Sequence, residues 1–126
     1  MTRNRQWLGR YGETVALRYV QSERGFTILD TNWRDGRRGE LDIVAFDDNR
    51  LRLRFIEVKT RRTTQFGHPA EAVNTSKQDT IRHLAQAYIT QRQGILPQYR
   101  DVSFDIISIQ LDAQHTHQIE YLESAF

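Results

Sequence analysis

Cysteine is absent from the chain, which excludes a disulfide framework, a thiolate metal site and a thiol nucleophile. Long apolar runs are absent too. The first twenty residues carry Arg3, Arg5, Arg10, Glu13 and Arg18, a pattern that argues against a signal peptide or a membrane span and makes the cytoplasm the expected location. A strong charge of one sign is also missing: 18 basic residues face 16 acidic ones, for a formal charge of +2. Net charge therefore does not identify a nucleic-acid partner. Lysine is scarce, with Lys59 and Lys77 the only two among the 18 basic side chains. No repeat, low-complexity tract or long linker occurs, and 126 residues suffice for a single domain over 1–126 but not for a second folding unit.

The informative stretch runs from Glu40 to Lys59. In Glu40-Leu41-Asp42-Ile43-Val44-Ala45-Phe46, strict alternation puts Leu41, Ile43 and Ala45 on one face and Glu40, Asp42, Val44 and Phe46 on the other. In the following run, Leu51, Leu53, Phe55, Glu57 and Lys59 share a face opposite Arg52, Arg54, Ile56 and Val58. The link Asp47-Asp48-Asn49-Arg50 is short and rich in turn formers, so an antiparallel hairpin is expected, bringing Asp42 beside Glu57. Glu57 and Lys59 lie roughly 6–7 Å apart along their strand. Unpaired buried charges cost several kcal/mol. A hard divalent cation such as Mg²⁺, which prefers oxygen ligands, would offset that cost; a buried salt bridge of Asp42 or Glu57 with Lys59 is the plainer alternative. Lysine, unlike arginine, can lose its proton beside a metal.

Around this pair the chain reads as α-β-β-β-α-β-β. Leu8, Tyr11, Gly12, Val15, Ala16 and Tyr19 give helical spacing over about Arg5–Glu23, with Gly25 placed to end it and Glu13 at the edge of the stripe. A strand from Phe26 to Trp33 opens a three-strand meander, and Asp35-Gly36-Arg37-Arg38-Gly39 is a basic turn. Trp33 is expected to pack at the rim of the core or to stack on a base. Thr75 with Gln78 resembles a capping box for a second helix whose apolar stripe is Ile81, Leu84, Ala85, Tyr88 and Ile89, up to Gly94. Lys77 and Gln78 lie in its first turn, where an anion is favoured. Val102–Ile109 and His117–Leu122 form a C-terminal hairpin. His115 and His117 have a two-residue spacing without a third ligand nearby, and His68 sits alone in the 61–74 loop, so exposed polarity is the expectation for all three. Nine of the 18 basic residues fall between 31 and 62, among them Arg34, Arg37, Arg38, Arg61 and Arg62, which suits phosphate contacts.

Gly39-Glu40-x-Asp42, Glu57-Val58-Lys59-Thr60-Arg61, Gly67-x-Pro69-x-Glu71-Ala72-Val73 and Lys77 together resemble the YraN family of small bacterial proteins, which by similarity belongs to the restriction-endonuclease-like PD-(D/E)XK superfamily. The resemblance covers most of the chain, from the first helix to about Tyr88. It implies an α/β fold with a mixed sheet and a metal-dependent nuclease. Asp42, Glu57 and the Val58 backbone carbonyl would hold Mg²⁺ (or Mn²⁺), and Lys59 would orient or activate water. Glu13, from the first helix, and Glu40 would add further ligands or water contacts, and Lys77 a phosphate contact. Leu41 stands where the superfamily carries proline, a position that supplies no ligand. With no room for a separate reading domain, the expected substrate is DNA recognised by shape (branches, flaps or junctions), with a homodimer as the natural arrangement for symmetric cutting. The rival expectations are a nucleic-acid-binding module that does not cut, and a protein-interaction domain in which Asp42, Glu57 and Lys59 form a structural salt bridge.

Overall fold

The computed structural model describes residues 2–62, 73–114 and 116–126. Helix α1 (Thr2–Arg18) continues into one π-helical turn (Tyr19–Glu23), followed by strands β1 (Thr27–Arg34), β2 (Glu40–Asp47) and β3 (Arg52–Arg61). Helix α2 (Thr75–Gln91) then leads to β4 (Asp101–Leu111) and β5 (His117–Leu122). The order of elements is the one expected from the sequence. Gly67, His68, Pro69, Glu71, Ala72 and His115 lie outside the described residues.

All five strands form one mixed sheet in the order β1-β2-β3-β4-β5. The β1–β2–β3 meander is antiparallel, β4 runs parallel to β3, and β5 returns antiparallel to β4. A parallel neighbour needs a crossover, and α2 lies on the chain between β3 and β4. The alternating side chains of the strands then build a core on each face. On one face Val44, Phe46, Leu53, Phe55 and Ile106 pack with Ile81, Leu84, Ala85 and Tyr88 of α2. On the other, Ile43, Ala45, Ile56, Ile107 and Ile109 pack with Ala16 and Val20 of α1 and with Phe26. The result is a helix, sheet, helix sandwich, a mixed α/β architecture consistent with a nuclease-like core. Among the described residues no helix is long and apolar enough to cross a membrane.

Three local expectations need correction. The α2 cap is Asn74, not Thr75: Asn74 is extended (φ −75°, ψ 173°) and its side chain accepts the Lys77 backbone N–H at 2.9 Å, while the Gln78 amide donates to the Val73 carbonyl at 3.0 Å. An asparagine one residue upstream does the capping that the threonine pattern suggested. Leu41 also departs from the expected alternation, since it joins the α2-side core with Val44 and not the α1-side core with Ile43 and Ala45. Opposite this point Asn32 takes a left-handed conformation (φ 50°), between the paired residues Thr31–Ile43 and Trp33–Leu41, so the faces exchange there. Trp33 follows Leu41 into that core and packs edge-on against Tyr88 at 5.3 Å.

The third correction concerns Arg52 and Arg54, both counted in the basic cluster. Arg52 forms an ion pair with Asp101 at 2.8 Å. Arg54 is fully buried, its guanidinium 2.8 Å from Asp47, 2.9 Å from Asp105 and 2.9 Å from Glu123. Asp105 also accepts from the Tyr121 hydroxyl and from the Ser124 N–H. Every charge here has a partner, so the group reads as structure. Removing one member of such a network strands the others, at a cost of about 3–5 kcal/mol. Arg54→Met is expected to lower the urea midpoint correspondingly; an unchanged midpoint would show that the network contributes nothing to stability.

Candidate metal and phosphate site

The site exists because β2 and β3 part company. Their pairing ends at Ile43–Ile56, whereas β3 continues along β4 as far as Arg61–Gln110. Beyond the last pair, β3 has lost its neighbour on that side, and an unpartnered backbone donor is costly. The Asp42 carboxylate supplies the acceptor, taking the Val58 N–H at 2.8 Å. That bond turns Asp42 into the gap between the strands, and Glu57 follows from β3, only 6% exposed.

Two more carboxylates converge on Asp42. Glu13, Glu40 and Asp42 each present an oxygen, all within 4.8 Å of one another. Asn32 holds two of them, its amide donating to Glu40 at 3.0 Å and to Glu13 at 3.4 Å. Sequence reasoning missed Asn32, although an asparagine inside a strand pattern is the residue type that tolerates positive φ. Gly12 is read from the sequence only as a small residue in the helical stripe, and its closeness to Thr60 was missed. A Cβ at that position would collide with the Thr60 side chain, so glycine is what lets α1 lie on β3 closely enough for Glu13 to reach Asp42.

The cationic side comes from Lys59 and Lys77. Lys77 Nζ lies 3.7 Å from Glu57, and both lysines line a cleft of about 370 Å³ with Glu13, Asp42, Glu57 and Val58. A second hollow of about 510 Å³ shares Asp42, Glu57 and Lys77 and extends to Arg34 and Arg38. Among the described residues Lys59 makes no ion pair with a carboxylate, contrary to the salt bridge that the plainer sequence reading expects.

Neighbours offset these charges only in part, through Lys77 on Glu57 and Arg34 on Glu40, in contrast to the Arg54 network. Burial, followed by the charge and shared proton of Glu57, pushes Asp42 up to about 8, against the pull of the Val58 N–H. Glu13 is raised by burial and by the Asp42 charge. Lys59 is lowered by burial and by the adjacent Lys77, with Glu57 and Asp42 opposing. Lys77 is held above its ordinary value: desolvation works against it, but the hydrogen bond to Lys59 and the Glu57 and Asp42 charges outweigh that. A set of oxygen donors this close, still repelling one another, has the chemistry of a hard-cation site.

The remaining candidates distribute as follows. Arg34 is paired with Glu40 at 2.9 Å, at the cleft edge. Arg37 and Arg38 are exposed in the turn before β2. Arg61 ends β3 opposite Gln110, and Arg62, just beyond it, is exposed. Gln78 is occupied by Val73 and serves the start of α2. His117 Nδ1 lies 2.8 Å from the Tyr11 hydroxyl, which gives it a protein partner.

These features define a class: a mixed-sheet α/β domain with carboxylates and lysines gathered where two strands diverge. The chain belongs to the family described as Uncharacterised protein family UPF0102, whose model matches residues 12–109. It is similar to a UPF0102 protein of Nocardia farcinica (37% identity over 123 residues, 98% of this chain and 91% of the relative). It is likewise similar to one from Alkaliphilus oremlandii (40% over 119 residues, 94% and 97%) and one from Chlorobaculum parvum (40% over 126 residues, 96% and 92%). The resemblance to the YraN family is borne out by these matches.

Two outcomes follow for the ion-free protein. Folding lets Asp42 keep its proton up to about pH 8, while an ordinary aspartate releases it near 3.8. The associated stability is therefore full below about pH 4 and is lost as pH rises toward 8. The melting temperature of the wild type is expected to fall across that window more steeply than that of Asp42→Asn, and Mg²⁺ should restore several degrees at pH 8 in the wild type only. Parallel pH profiles and no Mg²⁺ effect would contradict this account of the cleft. Gly12→Ala is expected to cost about 1–3 kcal/mol and to abolish the Mg²⁺ stabilisation, because α1 must lift off Thr60.

Proposed function

We propose that this protein is a Mg²⁺- or Mn²⁺-dependent endonuclease acting on DNA phosphodiesters in the cytoplasm, selective for branched, flap or junction DNA. One observation carries the reading: Glu13, Glu40, Asp42 and Glu57 gather with Lys59 and Lys77 around two adjoining hollows, and the Lys77–Glu57 and Arg34–Glu40 pairs leave Asp42 and Glu13 without a cationic partner among the described residues. A purely structural cluster would have resolved its charges, as the Arg54 network does.

Asp42, Glu57 and the Val58 carbonyl are the groups that would hold the ion, with Glu13 and Glu40 contributing directly or through water. When bound, a hard divalent ion polarises the phosphate and neutralises charge in the transition state. Lys59, whose ammonium is weakened by burial and by Lys77, is suited to orient the attacking water and accept its proton. Lys77 and Arg38, on the cleft walls, face where phosphate oxygens would lie, and the exposed Arg37 extends the same surface. Backbone contacts of this kind position DNA without reading bases, which supports selection by shape. A two-fold dimer would present two clefts to a symmetric branch.

The test is cleavage of labelled single-stranded, duplex, flap and four-way-junction DNA with Mg²⁺ or Mn²⁺. Wild type is expected to cut at least one branched form, with Asp42→Ala and Lys59→Ala each slower by a factor of about 10²–10⁴ and both still binding. If pure wild type cuts nothing while all three proteins bind equally, the chain is a DNA-binding module with a nuclease-like fold.

A further inference from the structure

Trp7 is the one exposed tryptophan, with 49% of its surface open, and it immediately precedes Leu8 and Gly9, which line the cleft beside Lys59 and Thr60. A lone surface tryptophan would carry no argument. This ring, however, is held in a fixed orientation. Tyr11, one helical turn on, stacks with it (centroids 5.4 Å, planes 14° apart). The Tyr11 hydroxyl is in turn tied to His117 Nδ1 on β5 at 2.8 Å, so helix and sheet both fix the stack. The Arg62 guanidinium lies 5.8 Å from the centre of the Trp7 ring. The contrast with Trp33, half-buried edge-on against Tyr88, is plain: Trp33 packs against a core, whereas Trp7 is an oriented aromatic surface beside an exposed cation.

We propose that Trp7 is a stacking platform for an unpaired nucleobase of the DNA strand entering the cleft, with Arg62 contacting the adjoining phosphate. The inference rests on the nucleic-acid reading above and adds to it the feature that selects branched DNA. An exposed cation–π contact is weaker than base–aromatic stacking, so an arriving base displaces Arg62 from the ring toward the backbone. Stacking requires a base free of its partner. A continuous duplex keeps its bases paired and offers none, while a flap or junction offers several. The basic side chains on the cleft wall would bind both forms; the ring distinguishes them.

The experiment compares a labelled blunt duplex with the same duplex bearing a single-stranded oligothymidylate flap, with Ca²⁺ in place of Mg²⁺, for wild type, Trp7→Ala and Trp7→Phe. Wild type is expected to bind the flap about tenfold more tightly than the duplex. Trp7→Ala should lose that preference with duplex affinity unchanged, and Trp7→Phe should keep most of it. In a Trp33→Phe background Trp7 is the remaining tryptophan, and flap DNA, unlike duplex, should quench its emission. A Trp7→Ala protein that retains the flap preference or loses both affinities equally, or a Trp33→Phe protein whose emission flap DNA leaves unquenched, would overturn the platform alone. Absence of binding to any oligonucleotide by the wild type would overturn both the platform and the nucleic-acid reading.

Discussion

Everything in this molecule turns on the place where β2 stops pairing with β3. A strand that leaves its neighbour exposes a donor that must be satisfied, and here the acceptor is the Asp42 side chain on the Val58 N–H. That single substitution of carboxylate for carbonyl opens the cleft and aims Asp42 into it. The left-handed Asn32 does complementary work on the other side of β2, exchanging the faces of the strand and holding Glu40 and Glu13.

The same residue types behave differently at the two ends of the sheet. Around Arg54, three carboxylates surround one guanidinium at 2.8–2.9 Å, and Asp105 takes two further donors. Around Asp42 the pairing is incomplete: Lys77 reaches Glu57 and Arg34 reaches Glu40, while Asp42 and Glu13 face each other and Lys59 faces Lys77. Satisfied charge is what a fold needs. Charge left in opposition, in a hollow open to solvent, is what a ligand with the missing charge can use, and the acidic oxygens and the basic wall ask for ligands of opposite sign.

Much of this was legible in the sequence, for identifiable reasons. The β2–β3 hairpin followed from period-two alternation and a turn-rich link, and the α2 stripe from Ile81, Leu84, Ala85 and Tyr88; both signals are local. Asp42 with Glu57 followed from the hairpin register, and Glu13 from the family resemblance. The unread features share a different property, since each depends on a neighbour distant along the chain. Nothing near Gly12 announces Thr60, nothing in Asn32 announces that Leu41 will change faces, and no spacing rule tells Arg54, which is internal, from Arg38, which is not. The two tryptophans make the same point: Trp33 became core because Tyr88 of α2 lies over it, and Trp7 stayed outside because its partner, Tyr11, is on its own helix.

The parallel alliance of β3 with β4 has a consequence in time. Arg52 and Asp101, which open that ladder, are 49 residues apart, whereas the meander is assembled from hairpins. Local pairings form early and long closures late, because the chain must lose its freedom before the contacts repay it. On that principle the meander, which carries Glu40, Asp42, Glu57 and Lys59, is expected to form before β4 joins it. The closure of β4 on β3 is then the slow event, arriving after the strands that carry the cleft have met.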